Sequence, residues 1–433
     1  MGSVSKGSLL AGDRLLKPLW LAFALTCPLF AVEFLRFNNE TLRIHVALPM
    51  VVLALILAVG CATLVAGALR GVDTGWRPAP ETRWEWQLLA ALSCFVAWHV
   101  VAWARAEAWV LPTREILKVA FGSFSVWGVL TFFPRDRRFH EQFWRIVLWT
   151  SALLVAVLVA EYAFVFRYPF LGNELAGVPN TYSIQLAWYL TPVMLHAAFY
   201  VSEAHRKWVA FLILFVFATG WLYIGSRAAW LAVGTGLLAV ALRTRGRKLV
   251  SYAWPIGAAV TAGAVFLLAF VPAQLAFPRR ALFLVSPGSV PELHTYEIRY
   301  GLAEATWGCF KASPLTGIGL GNTDRCIQFS THNDYIAILS DLGIVGLSIF
   351  LTVLIIVGTK VLLGSQDESP SAWISHGSRA SITAIAVILL FHNIYTATFF
   401  WLLLGLFCAE ARSRGKAPAI TDTACAVQRL GLP

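Results

Sequence analysis

The chain has 433 residues, 58% of them apolar and only 13% charged, against roughly 45–50% and about 25% in a soluble domain, which excludes an ordinary soluble enzyme. Its apolar stretches are about as long as a helix needs to cross a hydrocarbon core of roughly 30 Å, and they lack the two-residue alternation of a membrane barrel, so a helical bundle is the remaining class. The net charge of +11 would suggest nucleic acid in a soluble protein; here membrane topology accounts for it, and no nucleic-acid partner is expected.

Hydropathy predicts spans at 19–35, 44–68, 86–103, 116–133, 143–166, 183–201, 207–224, 227–242, 249–275, 333–359, 379–393 and 395–411. The expected fold is therefore all-α: a polytopic bundle of about 12 transmembrane helices with both chain ends on one side. The first apolar run is read as a retained anchor, since no A-x-A cleavage site follows it. Of the 34 Lys and Arg, 22 fall on the side of the N-terminus and 7 in the opposite short loops, which predicts both ends in the cytoplasm.

The remaining cations lie in one long loop at about 276–332, the only extramembrane segment of a size to carry a site. Within it, 291–311 reads as an amphipathic helix with Arg299, Leu302, Ala303, Thr306 and Phe310 on one face. Ser313-Pro314 ends that helix, and Gly317, Gly319 and Gly321 mark a tight turn. No strand precedes these glycines, so they read as backbone turn and not as a dinucleotide site. Cys309 and Cys326 share this loop; in an oxidising compartment they are either a disulfide or two free thiols, because sequence separation does not set Cβ geometry. No CxxC or HxxxH spacing suggests zinc.

His332 stands at the junction between this loop and the tenth span, where Thr331 or Asn333 could cap the helix. The positive end of the helix dipole favours the neutral imidazole that a general base needs, and it also attracts phosphate. Taken alone, His332 could equally be an interfacial residue. Arg227 follows Gly225-Ser226 at the start of the eighth span, and an isolated arginine there would simply snorkel to the headgroups. Its company argues otherwise: Arg299, Arg279 and Arg280 lie in the loop, and Arg114 and Lys118 at the start of the fourth span. A cation cluster outside, against the positive-inside trend, points to an anion, and arginines can hold a pyrophosphate bidentately. With no external D-x-D or E-x-D pair, no metal and no cofactor are expected. His392, at the same end of the eleventh span, is a candidate to line the site; His99 and His196 read as core.

The segment from Gly225 to Phe350 resembles the O-antigen ligase and polymerase superfamily. Gly225-Ser226-Arg227-Ala228-Ala229-Trp230 is similar to its S-R-[GA]-A segment. Arg299 with Trp307, then Pro314-Leu315-Thr316-Gly317-Ile318-Gly319, is similar to its R…W…P-L-x-G-x-G loop. His332-Asn333-Asp334-Tyr335-Ile336, with Gly343 and Gly346, is similar to its H-[NS]-x-x-[LI] stretch and G-x-x-G. The resemblance implies a GT-C-type, metal-independent, inverting glycosyltransferase of the Gram-negative inner membrane, facing the periplasm. Its donor would be a polysaccharide on undecaprenyl pyrophosphate and its acceptor the lipid A-core. It implies His332 as the catalytic base and Arg227 and Arg299 on the pyrophosphate, with Arg114, Lys118, Arg279 and Arg280 as lesser candidates. An O-antigen polymerase or a protein O-oligosaccharyltransferase would share these features. A transporter would instead place its ionisable residues at the bilayer midplane. The expected organisation is helices 1 to 7 over 1–224, a ligase-like region over 225–411 that includes the loop, and a cytoplasmic tail over 412–433.

Overall fold

The computed structural model describes residues 9–28, 35–38, 43–46, 48–70, 80–160, 181–204, 206–224, 226–244, 249–270, 293–329, 331–364, 372–392 and 394–414. Among these residues a helix overlaps each of the twelve predicted spans: α1 Leu9–Thr26, α2 Leu48–Arg70, α3 Arg83–Trp103, α4 Val110–Phe132, α5 Arg137–Ala160, α6 Thr181–Glu203, α7 Lys207–Ile224, α8 Arg227–Arg243, α9 Leu249–Phe270, α12 Asp334–Leu363, α13 Ala372–Ile388 and α14 Thr398–Arg414. Two more, α10 Leu293–Ala312 and α11 Asn322–Ile327, belong to the long loop. Four of the described helices are long and apolar enough to cross a membrane by length and composition: Leu48–Leu69, Arg83–Trp103, Pro112–Phe132 and Asp334–Leu363. The protein is a multi-pass helical membrane protein.

The all-α expectation needs one correction. Leu35–Asn38 (β1) and Arg43–Val46 (β2) pair antiparallel, with Leu35 opposite Val46 and Asn38 opposite Arg43. The first helix accordingly lies at 9–26 and not at 19–35. Both short segments alternate apolar and polar residues, the period of a strand.

Helix α13 is the axis of the bundle. It packs against α6 and α8, while α14 packs on α4, α12 on α3, α7 on α9, and α1 on α2 and α5. Fourteen of its residues are buried, among them Ser375, Ser378, Arg379 and Ser381. Small residues permit the close approach: a Cβ on Gly377 would sit 2.4 Å from the His196 ring, and one on Gly236 would sit 2.6 Å from the Ala380 carbonyl. The buried Arg379 guanidinium donates to the Val361 and Gly364 carbonyls at 3.2 and 3.0 Å, and Arg243 donates to Gly364 at 2.9 Å, so two cations close the C-terminal end of α12. The outward faces carry Leu55, Val65, Leu153, Trp208, Leu242 and Ile355, all exposed, as a surface solvated by lipid requires.

Away from the loop, a second set of charges ties α3, α14 and the α4–α5 junction together. Arg412 reaches Glu81 at 2.8 Å and Glu85 at 3.1 Å, Arg135 reaches Glu81 at 2.6 Å, and Arg412 also donates to the Leu130 carbonyl at 2.7 Å. Glu85 is also the far half of a capping box at the start of α3, where its Oε2 accepts from Thr82 N.

Candidate active site at the loop end of the bundle

Helix α12 is two segments joined at Gly343, whose φ of 71° and ψ of −173° no L-residue adopts without strain. The break frees backbone groups, and the glycine-rich turn takes them. Ile318 N donates to the Ser340 carbonyl at 2.9 Å, Gly319 N to Asp341 at 3.1 Å, and Ile344 N to Pro314 at 2.9 Å. Contact is so close that a Cβ on Gly317 would lie 2.2 Å from the Asp341 carbonyl oxygen, and one on Gly343 would lie 2.3 Å from that of Leu315. Backbone turn, the role expected for Gly317, Gly319 and Gly321, is what the structure shows; all three have positive φ.

Asp341, just before the break, turns its carboxylate to the N-terminus of α11, accepting from Gly321 N at 3.0 Å and Thr323 N at 2.9 Å. Cys309 of α10 and Cys326 of α11 form a disulfide with Cα atoms 6.5 Å apart, which settles the alternative left open by the sequence. The loop is also held from the N-terminal half. Arg105, beyond the end of α3, donates to the Thr316 hydroxyl and to Ser313 Oγ, and Leu320 N donates to the Ala102 carbonyl at 3.2 Å. Glu107 N donates to Asn322 at 3.2 Å. Nothing in the sequence signalled Arg105 as a clasp, because its partners are more than 200 residues away.

His332 is held in place by the residues on its C-terminal side. Asn333 caps α12, its Oδ1 accepting from Ile336 N at 3.1 Å, and His332 itself takes a left-handed backbone with φ of 50°. Asp334 is fully buried; its Oδ2 accepts from Ile394 N and Tyr395 N at 2.7 and 3.0 Å, and its own N–H donates to the Leu389 carbonyl. Tyr335 donates to Ala386 at 3.0 Å. The start of α12 is thus clamped onto the α13–α14 connection, which carries His392.

Half-buried His332 lies within electrostatic reach of Arg299, and burial together with that guanidinium pushes its pKa below the ordinary value of 6.5. Burial, Arg299 and His332 together push His392 down to about 3. Both imidazoles are therefore neutral at pH 7. The ring of His392 sits 5.3 Å from that of Trp188 in α6. Arg299 lies on α10 as expected, on the helix whose Thr306, Cys309 and Phe310 are buried. Arg114 and Lys118 fall in a neighbouring group on α4, where Glu115 feels Asp341, Asp324, Lys118 and Arg114. Tyr395, next to the Asp334 clamp, feels Glu115, Asp341, Asp334 and Asp324, so the two groups adjoin. Glu115, Asp324 and Asp341 were missed by sequence reasoning, and only the folded chain brings them together. Arg227 begins α8, capped by Ser226, and its side chain lies outside the described residues, as do Arg279 and Arg280. His99 and His196 are buried, as expected of core histidines.

Residues 209–351 match the family model described as O-Antigen ligase. The match covers less than half of the chain but all of the motifs that carried the resemblance, which it bears out over that stretch. No curated protein matches the chain. A chain from a solved structure described as "Structural coordination of polymerization and crosslinking by a peptidoglycan synthase complex" is 15% identical at a TM-score of 0.41, with 77% of this chain and 98% of that one covered. So slight a likeness carries no argument.

Proposed function

We propose that this protein is an O-antigen ligase, an inverting glycosyltransferase that moves O-antigen polysaccharide from undecaprenyl pyrophosphate to the lipid A-core on the periplasmic face of the inner membrane. The observation that carries the reading is the placement of His332, half-buried at a clamped helix start and within electrostatic reach of Arg299, inside the stretch that matches the O-Antigen ligase model. A base must be neutral to accept a proton, and a pyrophosphate needs cations that cannot lose theirs.

In this reading Arg299 and Arg227 hold the pyrophosphate, and a ring nitrogen of His332 takes the proton of the acceptor hydroxyl. That oxygen attacks the anomeric carbon, the new glycosidic bond forms as the bond to the phosphate oxygen breaks, and the lipid pyrophosphate leaves with the electron pair. In-line displacement inverts the anomeric centre. Arg279 and Arg280 are lesser candidates for the same anion. Arg114 and Lys118, in the neighbouring group on α4, are lesser candidates as well. The arginines do the neutralising, so the reaction proceeds without a metal.

The test is transfer by the purified protein from undecaprenyl pyrophosphate-linked glycan to lipid A-core in EDTA, wild type beside His332→Ala. Product from the wild type alone supports the reading. Lengthened lipid-linked glycan or glycosylated peptide, formed instead when those acceptors are supplied, would replace the acceptor with that of a polymerase or a protein O-oligosaccharyltransferase. Inactivity with all three acceptors would overturn the enzyme.

A further inference from the structure

Beside His332 and Arg299 lie two polar atoms that the proposed mechanism does not use. His392 is 5% exposed, and its Nε2 has no hydrogen-bond partner among the described residues; the indole Nε1 of Trp188, against the same imidazole, has none either. A buried polar nitrogen without a partner costs on the order of 1–3 kcal/mol, so two of them side by side call for a shared ligand. The clamp on Asp334 fixes the backbone beside His392.

The chemistry of that ligand is set by the neighbours. An indole N–H only donates. The positive neighbours of His392 are Arg299 and, whenever it is protonated, His332, so the surroundings favour an anion. A neutral imidazole with Nε2–H beside an indole N–H offers two donors without adding charge, and the guanidinium supplies the charge. We infer that Trp188 and His392 complete an oxyanion site with Arg299 and donate hydrogen bonds to the pyrophosphate of the lipid-linked substrate. The inference rests on the glycosyltransferase reading for the identity of that substrate, and on the two unpartnered nitrogens for the site itself.

Binding separates the two. The probe is 32P-labelled undecaprenyl pyrophosphate, bound to the full-length protein in detergent and competed with undecaprenyl monophosphate or phosphatidylglycerol. Trp188→Phe, which keeps a ring and removes the N–H, and His392→Ala should each weaken binding about tenfold, the worth of one hydrogen bond to a charged group. His392→Gln, which keeps an N–H, should recover part of that loss. Thermal unfolding of each variant identifies any that has failed to fold, and Trp188→Phe then carries the test. Unchanged affinity in folded Trp188→Phe and His392→Ala would overturn the inference. Competition by phosphatidylglycerol as effective as by the unlabelled pyrophosphate would also overturn it, assigning the site to ordinary headgroups. Binding that depends on both residues, in a protein that transfers no glycan to any acceptor, would leave this site standing and remove the transferase reading.

Discussion

Among single residues, the proposed chemistry turns on the protonation of His332. Its pKa is lowered by burial and by Arg299, so the neutral form prevails at pH 7 and gives way only as pH falls below the ordinary 6.5. A base works when deprotonated, so the transfer rate should be flat through neutrality and decline on the acid side, its midpoint below 6.5 in a profile of kcat/KM against pH. Removing the guanidinium in Arg299→Gln lifts one of the two causes, so the midpoint should move to higher pH; an unmoved midpoint would separate Arg299 from His332. His332→Ala should cost about 10²–10⁴-fold in rate, read as initial velocity of product formation with the protein still in the membrane. Arg299→Ala should lower kcat/KM for the lipid-linked donor, because it removes a cation from the proposed pyrophosphate contact; an unchanged kcat/KM would withdraw that contact.

Among the structural elements, the site is an assembly of four short devices: the break at Gly343, the turn docked on it, the α10–α11 disulfide and the Asp334 clamp. Gly343→Ala would place a side chain where φ and ψ suit only glycine, at about 1–3 kcal/mol for the backbone alone. It would also drive its Cβ into the Leu315 carbonyl. A lower unfolding temperature in detergent, with loss of transfer, is the expected result. Reducing the Cys309–Cys326 bond should unfasten α10, and with it Arg299, from α11; Cys326 is exposed and so within reach of a phosphine. The expected outcome is a raised KM for the lipid donor with a smaller change in kcat, reversed on reoxidation. These elements differ in how far they could be read in advance. The helices follow from hydropathy, and the α10 boundaries and the glycine turn from local pattern, because each depends on residues adjacent in sequence. The strand pair Leu35–Asn38 and Arg43–Val46 straddles the gap between the spans predicted at 19–35 and 44–68, although the alternation of Leu35, Arg36, Phe37 and Asn38 is a strand's. His392 was legible only as a residue at the right end of a span. Arg105, Glu115 and Asp341 were not legible at all, since their roles exist only once α3, α4 and α12 meet the loop.

Across the full bundle, charge is divided between two ends. One end gathers Arg299, His332, His392, Arg114 and Lys118; the other holds the ion network of Arg412, Arg135, Glu81 and Glu85. That network fastens the last helix to the first half of the chain. Although burial alone would raise its pKa, Glu81 is held down to about 2 by hydrogen bonds and charge from Arg135 and Arg412. Its contribution to stability is therefore present above the ordinary carboxylate pKa of 4.5 and is lost as pH falls toward 2. Arg412→Ala strands buried Glu85 without its cation and should cost about 3–5 kcal/mol, seen as a lower unfolding temperature at pH 7 and a smaller difference at pH 3. The cation count of the short loops, 22 against 7, is the basis for the proposed orientation, because positive loops are retained in the cytoplasm. In that proposed orientation the loop with the site is periplasmic, a compartment in which its disulfide persists. A membrane-impermeant maleimide tests this directly. Introduced Ser289→Cys in the long loop should label in intact spheroplasts, and native Cys425 only after permeabilisation. The reverse pattern would put Arg299 and His332 in the cytoplasm, on the wrong side for an exported lipid-linked polysaccharide, and would withdraw the ligase reading whatever the site's geometry.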